Sequence, residues 1–222
     1  MQYDGLVLPN LIIPVFGRYD LLQRTLDTID TKVAHLVIVD NGAGVTALQF
    51  PNKVQNVHYI PLPANLGLAG SWNLGIKSLP HNDRWFFLSS DLMLAPGDLD
   101  KMAKSQTNEL TLADSEPFFQ MFCVGEEVVR HVGLFDESFF PTHHEDQDYL
   151  RRSRHNGFEI RHIELGATYD MSVASRVTQV RQDVADRVYR DNLEYHQAKM
   201  RSKDYSAGYW SLTRRRRNEW LR

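Results

Sequence analysis

Three short apolar runs constrain this chain more than any other feature. Leu11-Ile12-Ile13-Pro14-Val15, His35-Leu36-Val37-Ile38-Val39 and Trp85-Phe86-Phe87-Leu88 each stop abruptly at turn-forming residues. The stops are Phe16-Gly17-Arg18, Asp40-Asn41-Gly42 and Ser89-Ser90-Asp91. Runs this short, apolar at successive rather than alternate positions, read as strands covered on both faces. Val57-His58-Tyr59-Ile60 reads as a further strand. Between them, residues 20–29 place Leu22, Leu26 and Ile29 on one helical face, and 69–78 form a second short helix candidate. This β-α-β-β-α-β order predicts an α/β fold: an open, mostly parallel sheet flanked by helices.

The second half is less regular. The pattern predicts helices over 98–106, 126–132 and 145–155, the last stopped by Asn156-Gly157. It predicts strands over 118–124 and 159–163, then a long charged helix over 178–201. No repeat or second core is visible. The expected division is a main domain over 1–175 and a C-terminal helical extension with a basic tail over 176–222. A domain of this size can bury roughly 70% of its unfolded-chain surface.

Charge excludes a general nucleic-acid binder, since the chain carries a net charge of −3. The distribution is uneven: residues 201–222 hold seven Lys or Arg against Asp204 and Glu219. The run Arg214-Arg215-Arg216-Arg217 predicts either a solvated tail or a peripheral contact with an anionic surface. One cysteine, Cys123, excludes an internal disulfide. No apolar run reaches transmembrane length, and the first residues lack the basic and apolar regions of a leader. The expectation is a cytoplasmic protein.

Open α/β sheets bind ligands beyond the carboxyl ends of their strands. Asp40, directly after Val37-Ile38-Val39, is placed there either to accept a ring N–H from a ligand or to start a turn. The segment 65–75 carries Gly67, Gly70 and Gly75 with Asn65 and Asn73, and small residues at a helix start admit a phosphate or ribose. It lacks the Gly-Lys-Ser/Thr ending of a phosphate-binding P-loop. Asp91 is a lone carboxylate that could hold Mg²⁺ or Mn²⁺ if substrate phosphates supply other ligands.

The most acidic spot is Thr142-His143-His144-Glu145-Asp146-Gln147-Asp148. Thr142 and Glu145 have capping-box spacing. Asp148 can pair with Arg152 one turn on. Asp146 has Tyr149 and Leu150 at those positions and so no local cation. The adjacent His143 and His144 would diverge on a helix, which disfavours a shared metal site.

In this order, the segments 11–18, 37–42, 65–76, 87–91, 132–140 and 145–152, followed by Gly157, resemble family 2 glycosyltransferases of the GT-A fold. The nearest likeness is to the rhamnosyltransferase-like branch. The likeness spans about residues 10 to 165, with a weaker echo at 192–199, where the family often carries a terminal helix with tyrosine and lysine. It implies transfer of a sugar from a UDP- or dTDP-sugar donor to an acceptor hydroxyl, such as that of a glycan. Pro14, Phe16 and Arg18 would line the nucleobase pocket, and Asp40 would bond the base. Asn65 and Asn73 would lie near ribose and phosphate. Asn41, Gly70, Ser89, Ser90 and Glu145 would complete the nucleotide-sugar site. Asp91 matches the last acid of the family's Asp-x-Asp motif and would hold Mn²⁺ or Mg²⁺. Asp146 matches the catalytic base of inverting members.

Two departures stand out. Ser89 replaces the first acid of Asp-x-Asp. Where many relatives carry a late histidine, this chain reads Gly166-Ala167-Thr168-Tyr169-Asp170, so Tyr169 or Asp170 would have to substitute. Two alternatives share such a sheet: a sugar nucleotidyltransferase, and a degenerate glycan- or nucleotide-binding module.

Overall fold

The central strand, β1 (Val7–Val15), carries the fold in a computed structural model that describes residues 6–42, 47–114, 118–169 and 182–207. It pairs in parallel with β2 (Lys32–Asp40), which pairs in parallel with β3 (Val54–Pro61). On its other side lies parallel β4 (Arg84–Leu88). A two-residue strand, β5 (Leu92–Met93), lies outside this sheet. β6 (Glu109–Ala113), β7 (Met121–Gly125) and β8 (Glu159–Ile163) complete seven strands in the order β3-β2-β1-β4-β7-β6-β8. Only β7 runs against its neighbours. β9 (Thr168–Tyr169) pairs antiparallel with β5. The sheet is therefore open and mostly parallel, as the unbroken apolar runs and the β-α-β-β-α-β order predict.

Both faces of β1 are covered, which explains its unbroken apolar run. Leu11, Ile13 and Val15 face one core with Leu22 and Leu26 of α1 (Tyr19–Asp27). Ile12 faces the other core with Trp72 and Ile76 of α2 (Gly67–Ser78). Full burial of each such side chain contributes about 1.5–3 kcal/mol. Asn10 is the polar exception and is fully satisfied: its amide donates to Arg84 O at 2.7 Å and accepts from Phe86 N at 3.0 Å.

Among the described residues, the remaining helices are α3 (Asp98–Met102), α4 (Glu126–Val132), α5 (Glu145–His155) and α6 (Gln182–Ser202). α3 is shorter than the expected 98–106; beyond its end, the Arg84 guanidinium donates to the carbonyls of Ala103 and Ser105. Residues 118–120 form a 3₁₀ turn ahead of β7. Strand β6 was not expected from the sequence.

α6 is packed into the domain. Its buried residues Val188, Asn192, His196 and Lys199 recur at helical spacing. Asn192 donates to the carbonyls of Phe140 and Thr142. Lys199 bonds Asp136 and Asp148 at 2.7 and 3.0 Å, and Asp148 also accepts from Arg152 at 2.7 Å. The Asp148–Arg152 pair expected from i,i+4 spacing is therefore present, inside a larger buried network. Asp170 and Arg214–Arg217 lie outside the described residues. Among the described residues, no helix is long and apolar enough to cross a membrane.

Candidate functional site

A cavity of about 300 Å³ opens at the carboxyl ends of β1 and β4. Pro14 and Phe16 reach it from the end of β1, and Arg18 from the turn into α1. Asn41 comes from the end of β2, Asn65 from the approach to α2, and Ser89, Ser90 and Asp91 from the end of β4. Eight of the expected site residues thus meet on one wall system. Phe16 is 47% exposed, an apolar ring held in solvent at the rim.

Arg18 is tied to Asp20 at 2.6 Å. The hydrogen bond to Asp20 raises its pKa further, and the nearby Asp91 charge acts in the same sense. The cavity thus holds a permanent cation near its carboxylate. Asp91 accepts a short hydrogen bond from the Ser89 hydroxyl. Asn41 spans two elements, donating to Ser71 Oγ at 2.7 Å and accepting from Leu66 N at 2.9 Å. Asn65 accepts from Gly67 N at 2.7 Å, which forms the turn into α2.

Three expected site residues lie elsewhere. Asp40 is fully buried and does not line the cavity. Its carboxylate accepts from Gly42 N at 2.8 Å, from Tyr19 at 2.8 Å and through a short bond from Tyr59. Burial and then Asp40 push the Tyr59 hydroxyl well above the usual tyrosine range. Asn73 is fully buried, holding Phe135 through both its N–H and C=O and donating also to Glu137. Gly70 sits inside α2, where an added Cβ would meet Leu66 Cβ at 3.1 Å.

Gly67 and Gly75 are both closely packed. At Gly67, with φ +76°, a Cβ would lie 2.8 Å from Phe140 and 2.9 Å from Pro141 O. At Gly75 a Cβ would lie 2.5 Å from Ile12 Cγ2. Gly75 is thus closed off by a protein side chain, whereas Gly67, although tightly packed, also lines the first cavity beside Asn65.

A second cavity, also about 300 Å³, adjoins the first and shares Leu68, Trp72, Ser89, Phe119 and Thr142 with it. Glu145 and Asp146 line this second cavity. α5 starts at Glu145, with His144 as its N-cap and no side-chain cap bond. The expected capping box is therefore not formed; Thr142 instead donates to the Glu145 carboxyl at 3.3 Å. His143 and His144 precede the helix with φ of 82° and 70°, a left-handed backbone that costs non-glycine residues energy.

Glu145 is 3% exposed. Burial, and then the adjacent Asp146 charge, push its carboxyl up to about 8. Asp146 is half-buried, and among the described residues its carboxylate accepts only from Gln147 N, at 2.7 Å. The two neighbouring acids thus differ in environment: one enclosed and neutral at pH 7, the other facing the cavity without a cation partner.

The sequence reading missed Trp72, Phe119, Gln120 and Tyr189 as cavity residues. Trp72 lies in a segment already singled out, but its apolar character reads as core. Tyr189 comes from α6, some 40 residues from the acidic turn, and no spacing rule links the two.

Among the described residues no three His, Cys, Asp or Glu side chains cluster to hold a metal. Asp91 with Ser89 still suits Mg²⁺ or Mn²⁺ shared with a diphosphate, because such ions keep several non-protein ligands.

Comparisons with known proteins agree with this geometry. The profile for "Glycosyl transferase family 2" matches residues 10–121, just over half of the chain. No curated protein matches the sequence. Among solved structures, the chain is similar to GalNAc-T7 with UDP, GalNAc and Mn²⁺, at 11% identity and TM-score 0.56, covering 73% of this chain and 43% of that one. It is similar to residues 1–349 of S. aureus TarS in complex with UDP, at 14% identity and TM-score 0.56, covering 71% and 58%. It is also similar to a mutant Drosophila β1,4-galactosyltransferase 7 complexed with manganese, UDP-Gal and xylobiose, at 13% identity and TM-score 0.55, covering 82% and 79%. The chain thus spans about half the length of the first two. Likeness at such low identity carries the fold, and the profile match carries the family: the chain belongs to glycosyl transferase family 2.

Proposed function

We propose that this protein transfers a hexose from a UDP- or dTDP-sugar to an acceptor hydroxyl, with inversion at the anomeric carbon. One observation carries the reading: two cavities meet at Ser89, Trp72 and Thr142, one lined by Arg18, Asn41, Asn65 and Asp91, the other by Asp146. The first suits a nucleoside diphosphate. Phe16 and Pro14 offer apolar contact for a base, and Arg18 offers charge for phosphate. The second presents a carboxylate at the junction. The solved structures similar in fold include complexes with UDP, with UDP-Gal and with Mn²⁺.

In the proposed reaction the acceptor oxygen attacks the anomeric carbon while Asp146 takes its proton. The bond from that carbon to the diphosphate oxygen breaks, and the nucleoside diphosphate leaves. Arg18 offsets charge gathering on the leaving group. A divalent cation held by Asp91 and the diphosphate would supply further charge neutralisation there. Glu145, neutral at pH 7, can donate a hydrogen bond where a second carboxylate would repel.

Asp40 enters this reading differently from a base-reading residue. With three hydrogen bonds already made, it anchors Tyr19 and Tyr59 beside the strand ends. A thermal-shift screen of UDP-, dTDP-, GDP- and ADP-sugars, with and without Mn²⁺, tests the proposal. Stabilisation by UDP- or dTDP-sugars is expected; none by any nucleotide sugar would refute it.

A further inference from the structure

Two histidines on adjacent strands face each other away from both cavities. His35 Nδ1 on β2 lies 2.9 Å from His58 Nε2 on β3, with ring centroids 5.2 Å apart. His35 sits opposite Asn56, and His58 opposite Val37. Strand alternation therefore puts both rings on one face of the sheet. His35 is half-buried and His58 exposed, and neither ring makes another hydrogen bond among the described residues. His35 lies five residues before the carboxyl end of β2, about 17 Å along the strand from the ligand-binding edge.

As it stands, one ring donates a proton to the other. A metal ion can take the place of that proton without any net proton loss. The donor ring moves its proton to its outer nitrogen, so that His35 carries it on Nε2 and His58 on Nδ1. Both inner lone pairs then face the ion. With the nitrogens 2.9 Å apart, an ion about 2.0–2.1 Å from each would see them about 90° apart. That is the angle between neighbouring ligands in square-planar and octahedral coordination. Turning each ring about its side-chain bonds aims the lone pairs at the ion, and the exposure of His58 leaves room for it. Imidazole suits Ni²⁺, Cu²⁺ and Zn²⁺, whereas Mg²⁺ and Mn²⁺ favour oxygen ligands.

We propose that His35 and His58 form a two-histidine site for a borderline divalent transition metal, Ni²⁺, Cu²⁺ or Zn²⁺, with water completing its coordination. β3 is the outermost strand and is bonded to β2 alone among the described strands. The ion therefore clamps the edge of the sheet. The site differs from Asp91 in both position and ligand chemistry, and it is independent of sugar transfer.

The test is calorimetric titration of Ni²⁺ and Zn²⁺ into the nucleotide-free full chain, with thermal unfolding of the same samples. The wild type should bind one ion at this site and gain Tm, because an ion held only by the folded state stabilises it. His35→Gln and His58→Gln should each weaken binding about tenfold or more, since even groups one step removed from a metal change affinity about 10–100-fold. Both should lose the gain in Tm. His81→Gln, at an exposed histidine elsewhere, should bind as the wild type does. Mg²⁺ at the same concentration should give neither signal. His58 is exposed on an edge strand, so its variant carries the test if His35→Gln fails to fold. Absence of Ni²⁺ and Zn²⁺ binding by the wild type, or binding unchanged in His58→Gln, overturns the proposal and leaves the pair as a cross-strand hydrogen bond.

Discussion

Lys199 Nζ lies 2.7 Å from Asp136 Oδ2, joining the C-terminal helix to the loop before the acidic turn across 63 residues of chain. The same ammonium lies 3.0 Å from Asp148 on α5. All three side chains are essentially fully buried. Burial alone would raise the Asp136 pKa, but the Lys199 charge and hydrogen bond outweigh it and hold the carboxyl below its ordinary range. Removing one partner of such a network costs about 3–5 kcal/mol, because a buried charge is left uncompensated. Lys199→Ala should therefore lower unfolding stability by that amount in a denaturant titration. A change below about 0.5 kcal/mol, typical of a surface substitution, would show that the network is not formed.

Glu145 predicts an unusual pH dependence. Its folded carboxyl titrates at about 8, against an ordinary value of 4.5. Between those values the folded protein holds a proton that the unfolded chain has lost. Stability from this group is thus full at acid pH and falls as pH rises from about 4.5 to about 8, at up to about 1.4 kcal/mol per unit. Glu145→Gln keeps the shape and removes the titration. Its stability should exceed the wild type most at pH 8, and the difference should vanish near pH 4. Parallel pH profiles for the two proteins would contradict the assignment.

Gly75 tests the packing of α2 on the sheet. A Cβ there would lie 2.5 Å from Ile12 Cγ2, a fully buried atom group on β1. Overpacking of this kind costs about 1–3 kcal/mol. The gain in helix propensity from glycine to alanine returns at most about 1 kcal/mol. Gly75→Ala should therefore be net destabilising in thermal or chemical unfolding, and a stabilised variant would show that α2 sits farther from β1.

Much of this fold was legible because β1, β2 and β4 are buried on both faces, and double burial leaves unbroken apolar runs. Their polar stops then marked the site edge, and Pro14, Phe16, Arg18, Asn41, Asn65 and Ser89 to Asp91 do meet there. β6 was missed although Glu-Leu-Thr-Leu-Ala alternates as a strand does, because it is only five residues long and carries Glu109 and Thr111, which are buried and bonded to each other at 3.0 Å. Asn73 and Asp40 do not line the first cavity for a related reason. A polar residue at a strand or helix end serves a ligand or the protein equally well, and only their partners, Phe135 for one and Tyr19 with Tyr59 for the other, decide. The buried face of α6 was illegible because it is largely polar: Asn192, His196 and Lys199.

The metal should follow the nucleotide. Asp91 is a single carboxylate with Ser89 where the family motif has a second acid, so the described residues alone offer too few hard ligands. Calorimetric titration of Mn²⁺ into nucleotide-free protein should show no binding, and titration in the presence of UDP should show it. Tight Mn²⁺ binding without nucleotide would mean that residues other than Asp91 build the site.

The most direct measurement is sugar-nucleotide turnover by the wild type and by Asp146→Asn, followed as nucleoside-diphosphate release, with donor affinity measured on the same samples. Asp146 lines the cavity beside Glu145, and its carboxylate has no cation partner among the described residues. Loss of a general base typically slows a reaction by about 10²–10⁴. The account predicts release by the wild type, a drop of that size in Asp146→Asn, and unchanged donor affinity. Equal rates in the two proteins, or no turnover of any UDP- or dTDP-sugar by the wild type, would contradict it.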